Sequence, residues 1–223
     1  MGQTLCFDIY GSVHNQHSIV GTLQEITGLP TPVVEDMSEM WVDHQITYSL
    51  EVTLMDEYRN WWDLTVQSLD YVLEYYGVEV TDEERDRIMD AYRHLEPYED
   101  WEEFEKLREA GHELYILSDG NPEMLRELAD NTGFSEYLDG IVSVHELEKY
   151  KPHPDVYHNI ENYAGRPAEE CTMVATHTFD VAGAQAAGMK TILINRFGVP
   201  ETRLGHTPDL VVDSYAELAE ELS

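Results

Sequence analysis

Apolar residues follow two rhythms along the chain, and the change of rhythm divides it. Residues 4–9 form a short, nearly continuous apolar run closed by Tyr10-Gly11-Ser12, which predicts a buried strand ending in a loop. From about His17 to His94 the apolar spacing becomes helical and predicts helices over residues 18–27, 37–55, 58–76 and 82–92. Gly28-Leu29-Pro30 and Gly77-Val78-Glu79-Val80-Thr81 fall between these segments. Thr81 is the expected N-cap of the fourth helix, and the acidic residues after it complement the helix dipole.

After Pro97 helices and strands alternate. Helices are expected over 101–110, 122–132 (stopped by Gly133), 154–163, 180–187 and at the C-terminal end. Strands are expected over 113–117, 140–144, 172–175, 191–194 and 210–212. Repeated β-α units imply an α/β, Rossmann-like fold: a doubly wound parallel sheet with helices on both faces and right-handed crossovers. The expected core is residues 1–16 and 96–223, with a helical subdomain, 17–95, inserted after the first strand. Chemistry in such a sheet belongs at the carboxyl ends of the strands, where Asp8, Ser118 and the loop 176–180 fall.

Composition changes this picture mainly through charge. The 223 residues are 42% hydrophobic and 10% aromatic, enough for a packed core. Against that stand 45 acidic and 13 basic side chains, a formal charge of -32. Such a surface opposes binding to nucleic acid or anionic membrane and leaves a small molecule as the expected partner. The acidic residues are spread through the chain, as in a halophilic protein that works in concentrated cytosolic salt; self-repulsion is screened over about 3 Å at 1 M salt but about 10 Å at 0.1 M. Cys6 and Cys171 sit beside apolar strand-like runs and form no disulfide framework, which points to a reducing cytoplasm. The residues after Met1 contain no basic and apolar leader, and no apolar run reaches the roughly 18 residues of a membrane span, so neither secretion nor membrane insertion is expected.

Four segments carry the candidate chemistry: Phe7-Asp8-Ile9-Tyr10-Gly11-Ser12, Leu117-Ser118-Asp119-Gly120, Tyr150-Lys151-Pro152, and Thr176-His177-Thr178-Phe179-Asp180. In this order they resemble the haloacid dehalogenase superfamily, and within it the type II L-2-haloacid dehalogenases. In those enzymes Tyr stands in the first motif where phosphatase members carry a second Asp, and Tyr10 occupies that position here. The resemblance implies a helical cap over a HAD-like core, no cofactor, no required metal, and paired subunits in a homodimer.

It also implies a mechanism. Asp8 would attack the halogen-bearing carbon of a small (S)-2-haloacid, and water would hydrolyse the resulting ester to the (R)-2-hydroxyacid. Lys151 would keep Asp8 ionised and oriented, while Ser12 and Ser118 would hold the nucleophile or the substrate carboxylate. Asp180 would pair with Lys151 and position the water, with His177 nearby. Tyr10, Asp119, Tyr157 and Phe179 would contact substrate. Trp61 and Ile46, with Trp41 and Trp62, form the candidate apolar wall from the cap.

The pattern departs from the type II family at identifiable positions. Its halide-accepting arginine follows a Trp on the first long cap helix, where this chain has Trp41-Val42, and valine offers no hydrogen bond to an anion. His44 and Arg59 are the candidate replacements. Ala175 stands for a common Ser, His177 for a common Asn, and Asp119 for another Asn, which adds a carboxylate beside Asp8. Two other readings compete. A phosphatase of small metabolites is opposed by Tyr10 and by Thr176, which stands at an expected metal-binding acidic position. A catalytically weak binding protein is motivated by Val42.

Overall fold

The computed structural model describes residues 2–223. In chain order the elements are β1 (Thr4–Phe7), α1 (Val20–Thr27), α2 (Thr31–Met55), α3 (Trp61–Tyr76), α4 (Asp82–Tyr92), α5 (Phe104–Glu109), β2 (Glu113–Ser118), α6 (Pro122–Thr132), β3 (Gly140–Ser143), α7 (Pro154–His158), α8 (Glu161–Ala164), β4 (Cys171–Ala175), α9 (Thr178–Ala186), β5 (Lys190–Ile194), β6 (Leu210–Val212) and α10 (Tyr215–Glu221). The six strands are parallel in the order β3-β2-β1-β4-β5-β6. Strand β1 lies between β2 and β4, with Phe7 opposite both Ile116 and Val174. The chain winds outward from β1 in both directions, so the switch point of the sheet is where β1 ends and Asp8 begins.

β1 and β4 are buried along their whole length, which explains why their sequences are apolar runs rather than alternating patterns. Below the sheet Phe104 anchors an aromatic cluster, 4.6 Å from both Phe7 and Phe134 and 4.9 Å from Tyr215 between ring centres. The free cysteines Cys6 and Cys171 are both buried in the strands.

Several boundaries differ from the sequence expectation. α2 starts at Thr31 rather than near 37, because Pro32 occupies the first turn, where its missing N–H costs nothing. α3 starts at Trp61, capped by the Asn60 side chain, rather than at 58. The expected helix 101–110 is a 3-10 turn, Glu99–Glu103, followed by α5. The expected helix 154–163 is two short pieces, and the third strand stops at Ser143, whose side chain caps a 3-10 turn. α4 matches its expected span, held by a complete capping box between Thr81 and Glu84.

Between β1 and α5 the helices α1 to α4 pack chiefly on one another. The buried face of α2 is unusual: beside Val34, Met37, Trp41 and Val52 it carries Ser38, Gln45 and Ser49. Trp41 donates its indole N–H to the Thr65 carbonyl at 2.9 Å, fastening α2 to α3.

Candidate active site

Asp8, Ser118 and Thr176 leave the carboxyl ends of β1, β2 and β4, three adjacent strands. Lys151 arrives from the segment after β3, and Asp180 from the first turn of α9, where the helix dipole favours a carboxylate. Lys151 Nζ lies 3.1 Å from Asp8 Oδ1 and 2.8 Å from Asp180 Oδ2, and it is 2% exposed. Ser12 Oγ donates to Asp8 Oδ2 at 2.9 Å and accepts the Thr176 backbone N–H at 3.0 Å, tying the β1 loop to the β4 loop. The Tyr157 hydroxyl donates to Asp180 Oδ1 at 2.8 Å. Gly183 makes this possible from the α9 side, because a Cβ there would meet Pro152 and the Tyr157 hydroxyl at 2.5 and 2.6 Å.

Charge organises the cluster. Burial would raise the Asp8 pKa, but the Lys151 charge and the neighbouring His177 outweigh it and hold Asp8 at about 2. Burial alone would lower the Lys151 pKa; Asp180, Asp8 and Asp119 reverse that and push it up. Asp180 is raised, by burial first and by the Asp8 charge, against the pull of Lys151. Burial pushes Asp119 up to about 7, although the Lys151 charge and the Lys151 backbone N–H, donating to Asp119 Oδ1 at 3.1 Å, both favour its ionised form. The extra carboxylate is therefore largely neutral below neutrality, and its repulsion of an anionic substrate is blunted.

Asp8, Tyr10, Gln16, Ile46, Trp61, Ser118, Asp119, Lys151, His177 and Phe179 enclose an inner cavity of about 30 Å³. An outer cavity of about 510 Å³ shares Gln16, Ile46, His177 and Phe179 with it and extends to Val42, Tyr98, Phe197 and Val199. Thus Tyr10, Ile46, Trp61, Asp119 and Phe179, singled out as substrate contacts, stand on the cavity wall. Tyr157 does not: it is fully buried and reaches the site only through Asp180. Ser118, the last residue of β2, also lines the inner cavity.

The proposed aromatic wall shrinks to Trp61, because Trp41 is turned to Thr65 and Trp62 stacks under Arg93, 4.3 Å from its ring centre. His44 and Arg59 are not replacements for an arginine: His44 bonds the Met40 carbonyl and stacks on Tyr71, and Arg59 is exposed outside both cavities. His177 Nδ1 lies 3.6 Å from Asp8 Oδ2. Gly11, with φ of 75°, must be glycine, since a Cβ would meet the His177 ring at 2.6 Å and Gln16 Oε1 at 2.8 Å.

Known proteins resemble this chain in sequence and in fold. The family model described as haloacid dehalogenase-like hydrolase matches residues 3–188. The chain belongs to that family. This hydrolase is 35% identical over 195 residues, 87% of its own length and 83% of the relative's, to (S)-2-haloacid dehalogenase 4A of Burkholderia cepacia. Its fold superposes on a solved dehalogenase with a TM-score of 0.93 at 33% identity, covering 99% and 96% of the two chains. It also superposes on the L-2-haloacid dehalogenase of Xanthobacter autotrophicus with chloropropionic acid covalently bound, with a TM-score of 0.89 at 27% identity, covering 99% and 98%.

The donor set of this hydrolase does not suit a divalent cation. The Lys151 ammonium fills the space between Asp8 and Asp180, and among the described residues no group of three or more Asp, Glu, His or Cys is placed to hold a metal ion. Sequence reasoning missed Gln16 on the cavity wall and, behind it, Gln45 and Tyr92. The available signal was Gln45 itself: a carboxamide four residues after Trp41, on the inward face of a long helix.

Proposed function

We propose that this hydrolase displaces halide from small (S)-2-haloacids, giving (R)-2-hydroxyacids, with Asp8 as nucleophile. The observation that carries the reading is the Asp8 carboxylate, kept ionised at the cavity by Lys151 and His177 and held in place by the Ser12 hydroxyl. One carboxylate oxygen forms a C–O bond to the halogen-bearing carbon as the C–X bond breaks, and the bonding pair leaves on the halide. Water then attacks the ester carbonyl carbon of Asp8, which releases the hydroxyacid and a proton and restores the carboxylate. Ser118 and a protonated Asp119 hold the substrate carboxylate. Asp180, fixed by Lys151 and Tyr157, and His177, beside Asp8, orient the water. Ile46, Trp61, Tyr10 and Phe179 surround the alkyl part.

Residues 17–95 act as a cap over the core formed by 1–16 and 96–223; cavity-wall residues Ile46 and Trp61 come from α2 and α3. Exposed Leu54 and Met55 at the end of α2 suit a homodimer contact. The charge of -32, the two free thiols and the absence, among the described residues, of any helix long and apolar enough to cross a membrane suit a halophilic cytoplasm.

The test is halide release from (S)-2-chloropropionate and (S)-2-bromopropionate in concentrated potassium sulfate with EDTA. Release that falls by roughly 10⁴-fold or more in Asp8→Asn supports the reading. No release from the folded parent, or release that EDTA stops, contradicts it.

A further inference from the structure

Expulsion of a halide creates an anion inside a small cavity, and the groups around Asp8 are already committed. Lys151 serves two carboxylates, Ser12 donates to Asp8, and Val42, out on the larger cavity, has no side-chain hydrogen-bond donor. On the α2–α3 side of the cavity the situation is reversed. Gln16 Nε2 makes only long contacts, 3.3 Å to Gln45 Oε1 and 3.4 Å to the Tyr92 hydroxyl. Gln45 Nε2 and Trp61 Nε1, on side chains 0% and 3% exposed, make no well-formed hydrogen bond and have only the Tyr92 hydroxyl nearby as an acceptor. Trp61, Gln16 and Gln45 all turn toward the Tyr92 hydroxyl, and the Tyr92 ring lies 5.5 Å from Tyr10 in a stack against the cavity.

Two carboxamides, an indole and a phenol thus converge with more N–H and O–H donors than acceptors. A buried donor without an acceptor costs about 1–3 kcal/mol, and natural interiors keep such groups rare. A cluster of them beside a nucleophile is matched by an anion.

We propose that Gln16, Gln45, Trp61 and Tyr92 form an uncharged cradle for the departing halide. Gln16 and Trp61, on the cavity wall, supply the contacting N–H groups; Gln45 and Tyr92 back them from α2 and α4. The halide departs away from Asp8, toward this cradle, as the C–O bond forms on the opposite side of the carbon. The inference rests on the dehalogenation reading, and its test separates the two.

Crystals soaked in sodium bromide, with potassium sulfate holding ionic strength, locate the anion by bromine anomalous scattering whether or not the enzyme turns over. Bromide within hydrogen-bond reach of Gln16 Nε2 and Trp61 Nε1 is expected; bromide elsewhere, or none, overturns the cradle. In single turnover, Gln45→Leu and Tyr92→Phe, which each remove one hydrogen bond from behind the contacting N–H groups, should slow release of chloride by roughly 10-fold and release of bromide, a weaker acceptor, by clearly less. Equal losses for both halides in folded variants overturn the cradle as well. Tyr92→Phe deletes a single hydroxyl and carries the kinetic test if Gln45→Leu fails to fold. A parent that releases no halide would instead overturn the reaction, while the bromide position still decides the cradle.

Discussion

The two sides of the inner cavity solve the same problem, polar groups without water, in opposite ways. The floor, at the carboxyl ends of the strands, is ionic: one lysine against Asp8 and Asp180, each oxygen assigned a partner. The roof, on the helices, is uncharged and leaves donors over. A charged floor can hold a nucleophile in one state through the reaction. A neutral roof with spare donors gains its full complement of bonds only when charge arrives, which is the condition for favouring a transition state over a ground state.

Removing the cation strikes the floor hardest. Lys151→Met leaves two buried carboxylates uncompensated and should cost about 3–5 kcal/mol in chemical denaturation. It should also raise the pKa of Asp8, so that activity falls in acid where the parent's does not. A loss below about 1 kcal/mol would mean that the floor is not organised by charge.

Tyr157→Phe strips one donor from Asp180 and should cost about 1–3 kcal/mol, with a larger effect on kcat than on KM, because Tyr157 stands behind the floor and touches no substrate. An effect confined to KM would place it on the cavity wall instead.

Asp119 gives the smallest and most specific effect. With its pKa raised from the ordinary carboxylate value to about 7, the folded state holds more protons than the unfolded chain between about pH 4 and 7. Its contribution to stability therefore declines as pH rises through that window. The same ionisation adds negative charge to the site, so KM for a haloacid anion should rise several-fold from pH 6 to 8 in the parent and stay flat in Asp119→Asn. An unchanged slope in the variant would assign the dependence to another group.

The floor was legible in the sequence and most of the roof was not. Strand ends placed Asp8, Ser118 and the loop leading to Asp180, while Lys151 was singled out only by the order of the four motifs that the family resemblance supplied. Gln16, Gln45 and Tyr92 come from a 3-10 turn, α2 and α4, and only packing of these three elements brings them together. Each reads alone as an ordinary polar or aromatic position. His44 and Arg59 failed as anion partners because the direction of the His44 side chain along α2 was not readable and because Arg59 lies in the loop before α3 rather than on the helix. Boundary differences were local, such as the early start of α2 at Thr31-Pro32.

The central claim is that Asp8 itself becomes the ester that water opens, and a single turnover of excess enzyme on (S)-2-chloropropionate in H₂¹⁸O tests it most directly. Attack of water on the Asp8 carbonyl carbon puts ¹⁸O into the peptide containing Asp8 and leaves the first lactate formed unlabelled. Label in that lactate, with none in the Asp8 peptide, would mean that water displaces the halide directly and would contradict the account.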